Sequence, residues 1–229
     1  MEAGAYDVAR HYIVYRSEHG KLRELKKEII QSEISQHSFK IIGADGQPIV
    51  FSEEKVLSKL TAKSADLSRA EASLVLAELK KNLYEGISVS ELRRAIINAA
   101  TSLIERHYDY AFLAARLLWD QLAEEILGDD YDQLGNGADG SLSAYQGKFI
   151  DYISEGVSYE ILNPELAKFD LGRLAAAIKP QRDDLFQYLG AQTIYDRYLL
   201  KTPTKPRRVF ELPQWMWMRI AMGLALRED

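Results

Sequence analysis

Only one stretch of this chain alternates like a β-hairpin, and nearly everything else recurs at helical spacing. Phe39-Lys-Ile-Ile42 and Pro48-Ile-Val-Phe51 flank Gly43-Ala-Asp-Gly-Gln47, where the Asp45-Gly46 pair supplies the positive φ of a tight turn. Pro48 has no N–H to give to a ladder, so its strand is expected to begin at an edge or a terminus. The expected class is therefore mainly α, with one short hairpin.

The helices are marked by their first turns. Ser52 precedes Glu53 and Glu54, a cap followed by acids that suit the positive end of a helix. Ser68 with Glu71 and Ser88 with Glu91 have capping-box spacing. They predict helices running through Leu83 and through about Arg106. Within the second, Leu92, Ile96, Ala99 and Leu103 form a buried stripe. A fourth helix is expected from Tyr110 to Leu127, ending at Gly128. Hairpin and four-helix cluster together make a unit over 38–128.

Upstream, 5–34 reads as one helix, with Ala9, Tyr12, Ile13, Leu22, Leu25 and Ile29 near helical spacing and a polar connector after it. A weak internal echo links Tyr6-Asp-Val-Ala9 with Tyr108-Asp-Tyr-Ala111. Downstream, 129–142 is acidic and Gly-rich and reads as a linker. Beyond it the pattern is all helical over 143–229. Segments are expected at 143–156, at Pro164 after a capping Asn163, at 170–178, at 182–200, and at 213–227 from Pro213. A loop with two prolines and four basic residues, 201–208, interrupts them.

Charge and cysteine content narrow the function. A net charge of −5 argues against a general nucleic-acid binder, which needs a basic face for phosphates. There is neither an apolar run of membrane-spanning length nor a secretory leader, so a cytoplasmic protein is expected. With no cysteine, disulfides and thiolate metal sites are excluded. His11, His19, His37 and His107 fall in no ligand-like pair, so no metal site is expected. Trp215, Trp217 and the methionines at 216, 218 and 222 read as a packing seam. Tyr188, Tyr195 and Tyr198 read as packing with a hydroxyl at the edge.

Several motifs carry a family resemblance. Over 38–128 these are the Asp45-Gly46 hairpin, Phe51-Ser-Glu-Glu-Lys-Val56, Leu83-Tyr-Glu-Gly-Ile87 before Ser88-Val-Ser-Glu-Leu92, and Tyr108-Asp-Tyr-Ala-Phe-Leu-Ala-Ala-Arg-Leu-Leu118. This unit resembles an ATP-cone, the nucleotide-sensing domain of many ribonucleotide reductases. Residues 188–200, Glu211-Leu-Pro-Gln214 and 218–226 resemble the N-terminal helical region of the class I ribonucleotide reductase large (α) subunit. Tyr6–Arg16 resembles the last helix of another cone. On this resemblance, 1–37 is the end of a first cone and its linker, 38–128 a second cone, and 143–229 the α-subunit helical domain, ending short of the catalytic barrel.

The resemblance implies the regulatory part of a ribonucleoside-diphosphate reductase, with ATP or dATP (and Mg²⁺) as effector acting through oligomerisation. Implied partners are other α subunits, a radical-generating small (β) subunit and nucleotides. The alternative is a stand-alone cone module for regulation or oligomerisation. The family's chemistry requires cysteines, so this chain alone is expected to be inactive, with no catalytic residue. The implied nucleotide-binding set is Ser52, Lys55, Val56 and Glu91. Lys55 matches a family lysine that reaches phosphate, and Glu91 an acidic position near the ribose. The set is eroded elsewhere. The family's Lys-Arg pair before the turn is Gly43 and Ala44 here, and its last-helix His and Lys are read as Gln121 and Glu124. A glutamate there is expected to repel phosphate.

Overall fold

In a computed structural model of the protein, residues 39–43, 45–128 and 138–228 are described, with 138–143 described in backbone only. The helix expected over 5–34, the echo at Tyr6 and Ala44 lie outside the described residues, as does most of the expected linker.

The hairpin pairs β1 (Lys40–Ile42) with β2 (Pro48–Val50), Ile41 opposite Ile49 and Ile42 opposite Pro48. Gly46 takes φ 78°, and the Asp45 carboxylate accepts from the Gln47 N–H at 3.0 Å, which closes the turn. Pro48 opens its strand, where its missing N–H costs nothing. The far edge of β1 is covered from later in the chain. The Ile42 N–H donates to the Ile87 carbonyl at 2.9 Å and the Gly86 N–H to that of Lys40 at 3.0 Å.

Four helices complete this unit: α1 (Glu53–Lys63), α2 (Ala72–Lys80), α3 (Val89–Thr101) and α4 (Asp109–Leu127). Ser52 caps α1 by accepting from the Lys55 N–H at 3.2 Å. Ser88 and Glu91 form the reciprocal box at the head of α3. The equivalent box at Ser68 does not form, and α2 starts only after Glu71. The reason lies on α4: the Asp109 carboxylate accepts from the Arg69 N–H (2.9 Å) and the Tyr110 hydroxyl from the Glu71 N–H (3.1 Å). These long-range acceptors hold Glu71 extended at the head of α2 and displace the local cap. Helix α3 also stops at Thr101, five residues early, in a run of turns leading to α4.

Helix α4 is buried almost all round, with Tyr110, Leu113, Leu117, Leu118, Trp119, Leu122 and Leu127 all inside. A helix apolar on every side belongs between other layers. It packs on α3 within the first unit and on α7 of the second.

The second unit holds α5 (Ala138–Ser158), α6 (Leu171–Ala177), α7 (Tyr188–Arg197) and α8 (Pro213–Ala225), with 3₁₀ turns at Pro164–Lys168 and Pro180–Leu185. Helix α5 begins inside the stretch read as linker, at Ala138. Asn163 and Asp170 cap their elements, accepting from Glu165 N–H (2.9 Å) and Arg173 N–H (3.0 Å). The single helix expected over 182–200 is split. Asp183 is drawn inward to the Tyr145 hydroxyl and the Gln214 amide, while Phe186 turns extended and meets Trp119 edge-on at 5.9 Å. Tertiary bonding overrides the local helical period there. Trp215, Met216 and Met222 are core, and Trp217 is half exposed.

Candidate functional site

A cleft of about 160 Å³ opens between α1, α3 and α4. Its floor is apolar, formed by Leu60, Ile97 and Leu117, and its rim carries Lys55, Lys59 and Arg93. Lys55 and Lys59 sit one helical turn apart on α1, so both project to the same side.

Two of these cations are matched from within the protein. Lys59 Nζ lies 2.5 Å from Asp120 Oδ2 and 2.5 Å from Glu124 Oε1, and Arg93 Nη2 lies 2.5 Å from Glu124 Oε2. Asp120 also holds Lys63 at 2.5 Å. Burial alone would lower the Lys59 pKa, but Asp120 and Glu124 together hold it above its ordinary value. Burial would likewise raise the Asp120 carboxyl, yet Lys63 and Lys59 keep it below the usual carboxylate range.

Of the four expected nucleotide contacts, Lys55 and Val56 line this cleft. Ser52 lies just before them, with its hydroxyl given to the α1 cap. Glu91 is committed to the α3 cap, accepting from the Ser88 N–H at 3.0 Å and the Ser88 hydroxyl at 2.7 Å. The Ser88 hydroxyl, then its N–H, hold the Glu91 carboxyl below its ordinary pKa. Gly43 is buried at the end of β1, and a Cβ there would come 2.7 Å from both Asp45 Oδ1 and Ile49 Cδ1. A long cation at 43 would displace both side chains.

The cleft fits a nucleotide polyphosphate poorly. Its apolar floor suits a base, but Glu124 sits among the cations a phosphate would need. Gln121 lines the cleft, with its amide given to Glu125 at 2.8 Å. Lys59, Arg93 and Asp120 were not singled out from sequence. In a single chain they look like ordinary solvated charges, and only the fold brings them together.

Polar contacts of Arg116 join the two units, and two buried carboxylates brace the second. Arg116 on α4 grips Asp66 through both Nη atoms (2.5 and 2.8 Å), donates to the Lys63 carbonyl (2.8 Å), and has Nε 3.6 Å from Asp184. The Arg116 hydrogen bond holds the Asp66 pKa at about 2. Asp183 is buried, accepting from Tyr145 (2.8 Å) and Gln214 (2.7 Å), and burial pushes its pKa up to about 7. Glu211, fully buried, accepts from the Tyr152 hydroxyl, the Leu200 N–H (2.9 Å) and Arg219 (Nε, 2.6 Å). Among the described residues no acidic or histidine cluster is placed to hold a metal, and no helix is long and apolar enough to cross a membrane.

This arrangement is that of two known domains in tandem. The ATP cone domain matches residues 39–125, and the ribonucleotide reductase all-alpha domain matches residues 184–229. The chain belongs to the ribonucleotide reductase large-subunit family, over the N-terminal part that carries these domains.

Relatives agree along the whole chain. It is 37% identical to the ribonucleoside-diphosphate reductase subunit alpha of Chlamydia muridarum over 233 aligned residues, covering 100% of this chain and 21% of that protein. The subunit alpha of Chlamydia pneumoniae is 36% identical with the same coverage. That of Helicobacter pylori is 30% identical over 76% of this chain and 20% of its own length. The chain thus spans about a fifth of the relatives it matches.

Proposed function

We propose that this chain is the regulatory front end of a ribonucleoside-diphosphate reductase large subunit, reducing ribonucleotides to deoxyribonucleotides for DNA synthesis in the cytoplasm. Residues 38–128 act as a cone and 143–229 as the helical domain leading to the catalytic body. ATP and dATP, with Mg²⁺, act by changing how α subunits associate and how they meet the β subunit. The observation that carries this reading is α4, which belongs to both cores at once. Trp119 meets Phe186 across the join, and Arg116 ties Asp66 on one side to Asp184 on the other. A shift of the cone therefore has to move the helical domain with it, because packed cores do not deform smoothly.

An effector shifts such an equilibrium only if it binds one associated state better than another. The test uses the full-length large subunit containing this sequence, with its small subunit. Reduction of a ribonucleoside diphosphate and the mass of the assembly are followed as ATP and dATP are varied. Both should respond. Ala191 is fully buried on α7, the helix that packs on α4. Ala191→Leu should weaken the response of both rate and mass to the nucleotides. A rate and a mass that ignore both nucleotides would refute the reading.

A further inference from the structure

Cations around an apolar floor make a place for an anionic ligand with an apolar part. At two of this cleft's cations the anion is already present and belongs to the protein. The Glu124 side chain is 15% exposed, against 40% for Lys59 and 37% for Arg93. One of its oxygens meets Lys59 from α1 and the other meets Arg93 from α3, each at 2.5 Å, while Glu124 itself stands on α4. One carboxylate thus ties three helices together through two of the cations that line the cleft.

We infer that Glu124 is a resident anion, occupying between Lys59 and Arg93 the place of a ligand's phosphate, so that the cleft is self-occupied and closed to polyphosphates. The inference rests on the cone reading only for its choice of probe. A carboxylate delivered by the protein's own helix competes at high effective concentration, without the entropy a free ligand loses on binding. A phosphate entering beside it would meet like charge from both Glu124 and Asp120. Removing the charge while keeping the shape reverses the balance. In Glu124→Gln, Arg93 loses its partner, Lys59 keeps only Asp120, and Lys55 stands beside them with no ion pair among the described residues.

The test is calorimetric titration of inorganic tripolyphosphate, then of Mg-ATP, into the 229-residue protein and its variants at low ionic strength. Wild type should show no saturable binding into the millimolar range. E124Q should bind tripolyphosphate about tenfold tighter or more, since charge-assisted contacts replace an internal pair. Adding R93Q to E124Q should remove the gain. E85Q, at an exposed site away from the cleft, makes the same change in net charge and should behave as wild type. Circular dichroism reports the fold of each variant, with E124A as the second neutral variant should E124Q not fold. The proposal is overturned if folded E124Q or E124A binds no better than wild type, if wild type binds as tightly as they do, or if neither variant folds.

Discussion

Replacing Glu211 should cost this protein more stability than any surface charge, and the structure says how much. The carboxylate is 0% exposed and every neighbour it touches is a donor. These are the Tyr152 hydroxyl, the Leu200 N–H at 2.9 Å, and Arg219 through Nε at 2.6 Å and Nη2 at 3.2 Å. Arg219 is itself only 20% exposed, and Glu211 keeps its pKa raised although burial would lower it. Glu211→Ala therefore strands a mostly buried guanidinium together with two other donors. Breaking a buried pair from one side costs roughly 3–5 kcal/mol. At about 2–4 °C per kcal/mol for a chain of this size, the melting temperature should fall by about 6–20 °C. Urea denaturation followed by tryptophan fluorescence is well placed to read this, because Trp215 stacks on Tyr152 at a centroid distance of 5.1 Å. Glu211→Gln should be only partly protective, since its amide N–H₂ brings donors to a site that needs acceptors. The double variant Glu211→Leu with Arg219→Leu should recover much of the loss by removing the stranded charge. A loss below about 1 kcal/mol for Glu211→Ala, or a double variant worse than the single, would refute the reasoning.

Three further outcomes follow from other parts of the structure. Ser88→Ala, which breaks the box that forms, should cost about 1 kcal/mol in urea denaturation, whereas Ser68→Ala should stay within about 0.5 kcal/mol; equal losses would contradict the observed caps. Asp183, raised by burial to about 7 from an unfolded value of about 3.9, gives stability fully present below about pH 4 and lost as the pH rises through about 7. That span corresponds to roughly 4 kcal/mol, so Asp183→Asn should flatten the pH dependence of stability between pH 5 and 8, and an unchanged slope would count against it. Gly156 is buried under Leu162, whose Cδ1 would lie 2.5 Å from an added Cβ. Gly156→Ala should therefore lower stability by about 1–3 kcal/mol, read as a lower denaturation midpoint at an unchanged m value.

Much of the fold was legible because local chemistry and tertiary structure agree over most of the chain. The Asp45-Gly46 turn, the Ser52 cap, the Ser88–Glu91 box, the stop at Gly128 and Pro213 at the head of α8 all stand where the residues place them. The departures occur where distant groups take over. Ser68 and Glu71 have the same spacing as Ser88 and Glu91, yet Asp109 and Tyr110, about forty residues on, claim the neighbouring N–H groups instead. The periodic run over 182–200 breaks because Asp183 bonds to α5 and the head of α8 rather than facing solvent. Of the residues lining the cleft, Lys55 and Val56 are the two that the motif pointed to. Lys59, Arg93 and Asp120 were missed because a cation and its counter-ion 61 positions away carry no joint signal in one sequence.

The same contrast explains why the boundary between the two domains is sharper in sequence than in space. Gly128, with φ 62°, ends α4, and the Gly-rich run after it has the composition of a hinge. Yet Tyr110, Leu118, Trp119 and Leu122 share one continuous core with Phe149, Ile153, Ala191 and Trp215. The Lys148 ammonium on α5 donates to the Leu127 carbonyl at 2.9 Å, satisfying one of the open groups at the end of α4. A freely hinged pair would show a polar, separable interface, as is usual between domains that move. An apolar join, spanned at its edge by the Arg116 fork, packs the cone and the helical domain as one body. On the proposed function, regulation through this chain is then a matter of where the pair docks, while Glu124 ties α1, α3 and α4 of the cone together.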